Sequence, residues 1–185
     1  MSFFLKLFYW VIKYPNLKKI KRYSSNLKFG DFCNFSFYPS LGDIQLGDGV
    51  SIRNYCNILV GNEAQLIIGD NVFMNNYCSI NCLDRIEIGN NTLFGEGVKL
   101  YDHNHQYTSE KIERYIFNKG GIKIGENCWL GSNVVVLKGV TIGDNTIVGA
   151  GCTIYKDIPA NSIVINKQEL ISKSKSKWDI NTHYN

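Results

Sequence analysis

In "IGENCWLGSNVVVLKGVTIGDNTIVGAGCTI" every sixth residue is aliphatic: Ile124, Leu130, Val136, Ile142, Val148 and Ile154. Neither a helix, at about 3.6 residues per turn, nor an alternating strand makes that count. The same anchors recur at Leu46, Ile52, Ile58, at Ile68, Met74, Ile80, and at Ile88, Phe94, Leu100. Successive sets are separated by six residues plus insertions of 4, 2, 18 and 0. The larger unit is therefore three hexads per turn, with loops added at one corner, which is the pattern of a repeat architecture.

Position within the hexad supplies the geometry. The residue after the anchor is often Gly, as at Gly47, Gly69, Gly89, Gly95, Gly125, Gly131, Gly143 and Gly149. The third after it is usually Gly or Asn: Gly49, Asn71, Asn91, Gly97, Asn127, Asn133, Gly139, Asn145 and Gly151. Those types tolerate positive φ and sharp bends. The fourth is small or β-branched: Val50, Cys56, Val72, Cys78, Thr92, Val98, Cys128, Val134, Val140, Thr146 and Cys152. It lies two residues before the next anchor, so on a strand both face inward. Each hexad thus reads as one short strand and one corner. Three hexads close a triangular coil, and stacked coils pair as parallel strands about 4.8 Å apart. The pattern predicts an all-β parallel β-solenoid.

Cysteine usage fits that core. Cys56, Cys78, Cys128 and Cys152 occupy the small inward position, as does Cys33 if Phe29 is an early anchor. They read as buried structural thiols. Cys82 falls outside the register, beside an insertion, where a nucleophile is a weak second reading. No C-x-x-C pair suggests a metal or redox site.

Charge divides the chain. The first 30 residues hold seven basic side chains and no acid; residues 31–185 therefore carry 13 basic against 16 acidic groups, a net of −3. A basic body, expected of a nucleic-acid binder, is missing. Residues 2–14 are broadly apolar, with "NLKKIKRY" behind them. Residues 1–28 read as a helical or irregular segment that caps the solenoid, or touches an anionic membrane surface through 2–22. No run is long enough for a membrane span and no small-residue cleavage site follows the apolar start, so a cytoplasmic location is expected, with peripheral contact at the inner membrane face left open. The solenoid is expected over 29–165, with a basic tail over 166–185 that includes Lys167, Lys173, Lys175 and His183.

The block from Ile124 through "YKDIPANSIV" resembles the hexapeptide-repeat acyltransferases, among them galactoside and maltose O-acetyltransferases and the acetyltransferases of capsule and O-antigen synthesis. The resemblance covers roughly residues 45–165. It implies a left-handed β-helix, a homotrimer with active sites between neighbouring prisms, acetyl-CoA as co-substrate, direct transfer and no metal.

The 18-residue insertion after Leu100, in the segment 101–123, is the longest departure from the repeat and holds His103 and His105 within "YDHNHQYTSEK". A long loop on a rigid scaffold is a usual place for function. The resemblance implies a catalytic His here. The galactoside enzymes' pattern, with the catalytic His five residues after the last anchor before the loop and nineteen before the Ile that follows it, implies His105 first and His103 second. Asp102 is a candidate to orient an imidazole or contact the acceptor, although strand alternation puts it on the opposite side from the histidines. The resemblance further implies that the Ser132 amide is an oxyanion donor and that Trp129 lines the pantetheine channel. It places Ala150 and Lys156 with Ser132 at the coenzyme and makes Asn75 an acceptor contact; Lys138 stands where the family commonly has Pro, and reads as a phosphate contact or a solvated lysine. The family's closing motif has no counterpart in "INKQELISKSK", so the contacts at the adenine end lack their usual residues.

The expected activity is acetyl-CoA-dependent O-acetylation of a sugar hydroxyl in bacterial surface polysaccharide synthesis. N-acetylation of a nucleotide-linked amino sugar is the nearest alternative, and an inactive scaffold another. A metal-dependent hydratase on this fold would need three histidines from facing coils, which three His in one loop and one tail do not supply. Thr92, Thr141, Thr146 and Thr153 form no ladder of the kind an ice-binding solenoid requires.

Overall fold

The computed structural model describes residues 27–38 and 43–167. Among them every regular element is a strand, and about six turns stack into a three-faced parallel β-solenoid. The seven-stranded face comprises β1 (Lys28–Phe29), β4 (Ser51–Ile52), β7 (Phe73–Met74), β10 (Leu93–Phe94), β15 (Trp129–Leu130), β18 (Ile147–Val148) and β20 (Ile163–Val164). The six-stranded face comprises β2 (Asn34–Phe37), β5 (Asn57–Val60), β8 (Ser79–Cys82), β11 (Lys99–Tyr101), β16 (Val135–Leu137) and β19 (Thr153–Ile154). The five-stranded face comprises β3 (Asp43–Leu46), β6 (Gln65–Ile68), β9 (Arg85–Ile88), β14 (Ile122–Ile124) and β17 (Thr141–Ile142). The remaining two, β12 (His103–Tyr107) and β13 (Ile112–Lys119), make an antiparallel hairpin. The capping or membrane role expected of residues 1–26 lies outside the described residues, as do Lys173, Lys175 and His183.

The hexad anchors line the core. From Ile52 to Ile154 they are buried, and Leu46, in an early coil, is half-buried against the same cluster. Strand register stacks them in columns: Met74, Phe94, Leu130 and Val148 on one face, and Ile58, Ile80, Leu100, Val136 and Ile154 on the next. Every Gly or Asn at the corner position has positive φ, from 53° at Asn127 to 78° at Gly139. Side-chain amides and carboxylates stitch one coil to the next: Asp70 Oδ1 accepts the N–H of Asp48, and Asp144 Oδ1 that of Glu126, at 2.8 and 2.9 Å. Gly95 is glycine for a different reason, since a Cβ there would lie 2.6 Å from the Ser132 nitrogen in the coil above.

Phe32, Tyr55 and Tyr77 depart from the pattern. They occupy the same corner position with φ of 56°, 59° and 60°. Bulky side chains in that region carry a strain of about 1 kcal/mol or more each.

Cys82 is fully buried rather than poised at a loop, and its thiol donates to the Gln65 carbonyl. All six cysteines are buried free thiols. The nucleophile reading of Cys82 is therefore set aside.

Candidate active site

The three corners of the prism have distinct characters. The corner joining the seven- to the six-stranded face is built from tight three-residue turns, including 75–77, 95–97, 131–133 and 149–151. The corner joining the six- to the five-stranded face carries the insertions, and the 101–121 excursion leaves the prism there. The insertion does not interrupt stacking: β11 pairs with β8 below and with β16 above, Leu100 standing opposite Ile80 and Val136.

Asp102 follows β11, where the chain turns out of the prism, and its side chain is fully buried. A buried carboxylate needs partners. It has three: the Leu83 N–H at 2.9 and 3.0 Å from its two oxygens, the Asp84 N–H at 2.7 Å, and Nδ1 of His103 at 2.9 Å. Strand alternation, which put Asp102 on the far side from the imidazoles, fails because the strand ends at Tyr101. The acceptor contact expected of Asp102 is replaced by an internal role, since the buried carboxylate has no surface to offer an acceptor.

His103 starts β12 and is largely enclosed, with 16% of its side chain exposed. With Nδ1 carrying the proton shared with Asp102, Nε2 is left with a lone pair. His105 lies two residues on, more exposed, with Nδ1 3.2 Å from the Glu113 carbonyl. Strand periodicity predicts that both face the same way. Both pack on Phe117 of β13, at ring-centroid distances of 5.1 and 4.9 Å. His105 also lines a cleft of about 480 Å³ with Asn104, Gln106, Tyr107, Asn118 and Lys138. Lys138 Nζ donates to Asn118 Oδ1 at 3.2 Å, so this lysine is joined to the hairpin. Lys156 is exposed on the same corner, over the Tyr155 ring.

The other expected residues gather at the tight corner. Trp129 projects from the seven-stranded face with 52% of its surface exposed, and Ser132 and Ala150 sit in successive turns beside it. Asn75 belongs to a lower turn of the same corner, where its Oδ1 accepts the Asn76 N–H at 2.9 Å. The expected site residues thus fall into two groups on one chain, separated by the six-stranded face.

A further difference runs up the tight corner. In its lower turns an Asn side chain satisfies the central amide: Asn54 accepts from Asp31, Asn76 from Asn54, and Asn75 from Asn76. Higher up no such residue is present, and the N–H groups of Glu96, Ser132 and Ala150 make no hydrogen bond among the described residues. Unsatisfied donors in a fixed turn can hold a carbonyl or oxyanion.

Several contributors escaped the sequence reading. The amides of Leu83 and Asp84 come from a different coil, and Phe117 from the far strand of the hairpin. The adjacency of Asp and His in "DHNH" was the one available signal for the ion pair. No group of three or more metal-ligating side chains occurs among the described residues.

Fold and repeat define the class, a hexapeptide-repeat β-solenoid. Residues 121–156 match the family model described as bacterial transferase hexapeptide (six repeats), and the chain resembles acetyltransferases of that kind. It is 33% identical over 98 residues to a galactoside O-acetyltransferase of Lactococcus lactis, covering 53% of this chain and 47% of that protein. A putative colanic acid biosynthesis acetyltransferase of Escherichia coli is 38% identical over 81 residues, 44% of this chain and 43% of the relative. The chain spans less than half the length of these relatives. Among solved structures, the Bacillus cereus N-acyltransferase AntD, in complex with dTDP and 3-hydroxybutyryl-CoA, superposes with a TM-score of 0.68 at 18% identity, over 80% of this chain and 81% of that one. At that identity the likeness is one of fold.

Proposed function

We propose that the protein transfers an acetyl group from acetyl-CoA to a saccharide hydroxyl, with the imidazole of His103 as general base. The Asp102–His103 pair carries the reading. A buried carboxylate that fixes one tautomer, and that compensates the imidazolium formed on proton uptake, is what a general base needs. This reverses the order given by the sequence register, which put His105 first. His105 has a backbone carbonyl in place of a carboxylate, and it lies where it can contact the acceptor in the hairpin cleft.

In this mechanism His103 Nε2 takes the hydroxyl proton as the acceptor oxygen bonds to the thioester carbonyl carbon. The same nitrogen returns the proton to the coenzyme sulfur as the C–S bond breaks. The free amide of Ser132 is suited to the carbonyl oxygen as it gains charge, and that of Ala150 to a carbonyl of the pantetheine arm. Trp129 offers an apolar wall, and Lys138 and Lys156 offer cations for phosphate. Asn75 remains an acceptor contact.

On one chain the base and the oxyanion donor lie on different corners, so a site using both is shared between two copies. That arrangement favours the homotrimer expected from the sequence. Similarity to the galactoside and colanic acid proteins favours a sugar acceptor in surface polysaccharide synthesis. No helix among the described residues is long and apolar enough to cross a membrane.

The test is release of coenzyme A from acetyl-CoA with galactosides and with amino sugars as acceptors. Turnover with galactosides that is lost in H103N supports the proposal. Turnover with amino sugars alone would replace it by N-acylation.

A further inference from the structure

The corner that holds Asn75, Ser132 and Ala150 carries three exposed aromatic rings in its lower turns. Phe32, Tyr55 and Tyr77 stack with centroids 5.1 Å apart at each step and planes 6° and 8° from parallel. Near-parallel rings at that spacing cover much of one another's facing surfaces, so the stack presents ring edges and margins to solvent. Exposure is 60%, 47% and 53% in that order.

Position makes the ladder unusual. Gly97, Asn133 and Gly151 fill the equivalent place in higher turns, and all adopt positive φ. The lower turns place aromatic side chains in a conformation that disfavours them, although Asn serves the same corner elsewhere. Strain retained at a surface position points to a use for the side chain.

Polar groups flank the rings. The Nδ2 groups of Asn54 and Asn76 make no hydrogen bond among the described residues, because only their Oδ1 atoms are engaged. Arg53 is exposed, lies 5.7 Å over the Phe73 ring, and has no carboxylate partner among the described residues. An exposed aromatic stack bordered by amide and guanidinium donors offers apolar contact to the C–H groups of a pyranose and donors to its hydroxyl rim. Nucleic acid would need a run of cations, and the body of this protein is net acidic.

The ladder also leads to the site. It stops at Tyr77, where Gly97 leaves no side chain above the ring, two turns or roughly 10 Å below Ser132. We infer that Phe32, Tyr55 and Tyr77 form an extended subsite for a saccharide chain, so that the acceptor is an oligosaccharide or polymer lying along this corner rather than a single sugar. The inference rests on the acetyl-transfer reading for what the bound chain is used for, but not for its binding.

Two measurements separate these. The first is NMR of protein labelled at its tyrosine rings, titrated with β-galacto-oligosaccharides of one to six units and with de-O-acetylated colanic acid oligosaccharides. Shifts at Tyr55 and Tyr77 that grow with chain length support the subsite even if no acetyl transfer occurs; no shift with either series overturns it, even if transfer is observed. The second is the triple variant F32N/Y55N/Y77N, which installs the residue that the same corner uses at Asn133. The ratio of kcat/KM for the six-unit over the one-unit acceptor is expected to fall roughly tenfold. An unchanged ratio contradicts the inference. Loss of self-association in the variant, by sedimentation velocity, would show that the ladder serves contact between copies and would also overturn it.

Discussion

Asp102 is the residue on which the proposed site depends. Its carboxylate ties the coil at Leu83 and Asp84 to the base of the hairpin and holds Nδ1 of His103. D102N keeps the volume but can present an N–H₂ to the ring, favouring the wrong tautomer. A fall in kcat of about 10²- to 10⁴-fold is expected, with KM nearly unchanged, in steady-state assays of coenzyme A release. Cys82 gives a second prediction at this scale. Burial, reinforced by the Asp102 carboxylate, pushes its thiol above the ordinary range. The fold therefore favours the neutral thiol. That contribution is complete below the ordinary thiol pKa and is lost as pH climbs from there toward the raised folded value. Urea midpoints should fall above about pH 8.5, and fall less in C82A when each variant is compared with its own midpoint at lower pH. The thiol should also resist alkylation until the protein unfolds.

Among the elements, the hairpin β12–β13 is an addition to a solenoid that closes without it. Replacing residues 105–117 by an Asn-Gly turn should move the melting temperature by no more than about 4 °C, the shift expected for a change of order 1 kcal/mol, while abolishing transfer. In contrast, I80A removes a buried anchor from the centre of a column and should cost about 2–5 kcal/mol in chemical denaturation. The columns were legible from sequence because the anchor, the corner Gly or Asn and the small inward residue repeat with a fixed period. The Asn and Gly types even foretold the positive φ at each corner. The insertion was legible only as a break in that period. Its antiparallel pairing and the packing of Phe117 between two imidazoles depend on contacts 12 to 14 residues apart that no repeat encodes. The aromatic ladder was hidden by its own exception: Tyr55 and Tyr77 precede Cys56 and Cys78 at a position read as a corner for Gly or Asn. The reach of Asp102 to His103 was misjudged because alternation was carried past the end of the strand.

For the whole molecule, the division of the expected site between two corners is the feature with the widest consequence. Asp102, His103, His105, Lys138 and Lys156 lie on one edge of the prism, and Asn75, Trp129, Ser132 and Ala150 on another. If both groups act on one thioester, as proposed, they come from different copies, so sedimentation equilibrium should give the mass of a trimer and activity should vanish on dilution to monomers. The central claim is that a carboxylate-held imidazole on the hairpin removes the acceptor's proton. It is tested most directly by single-turnover transfer of labelled acetyl from acetyl-CoA to a galactoside by wild type, H103N and H105N. The account predicts that H103N is slowed at least about 100-fold with its circular dichroism unchanged, and that H105N is affected less. Wild-type rates in H103N would contradict it.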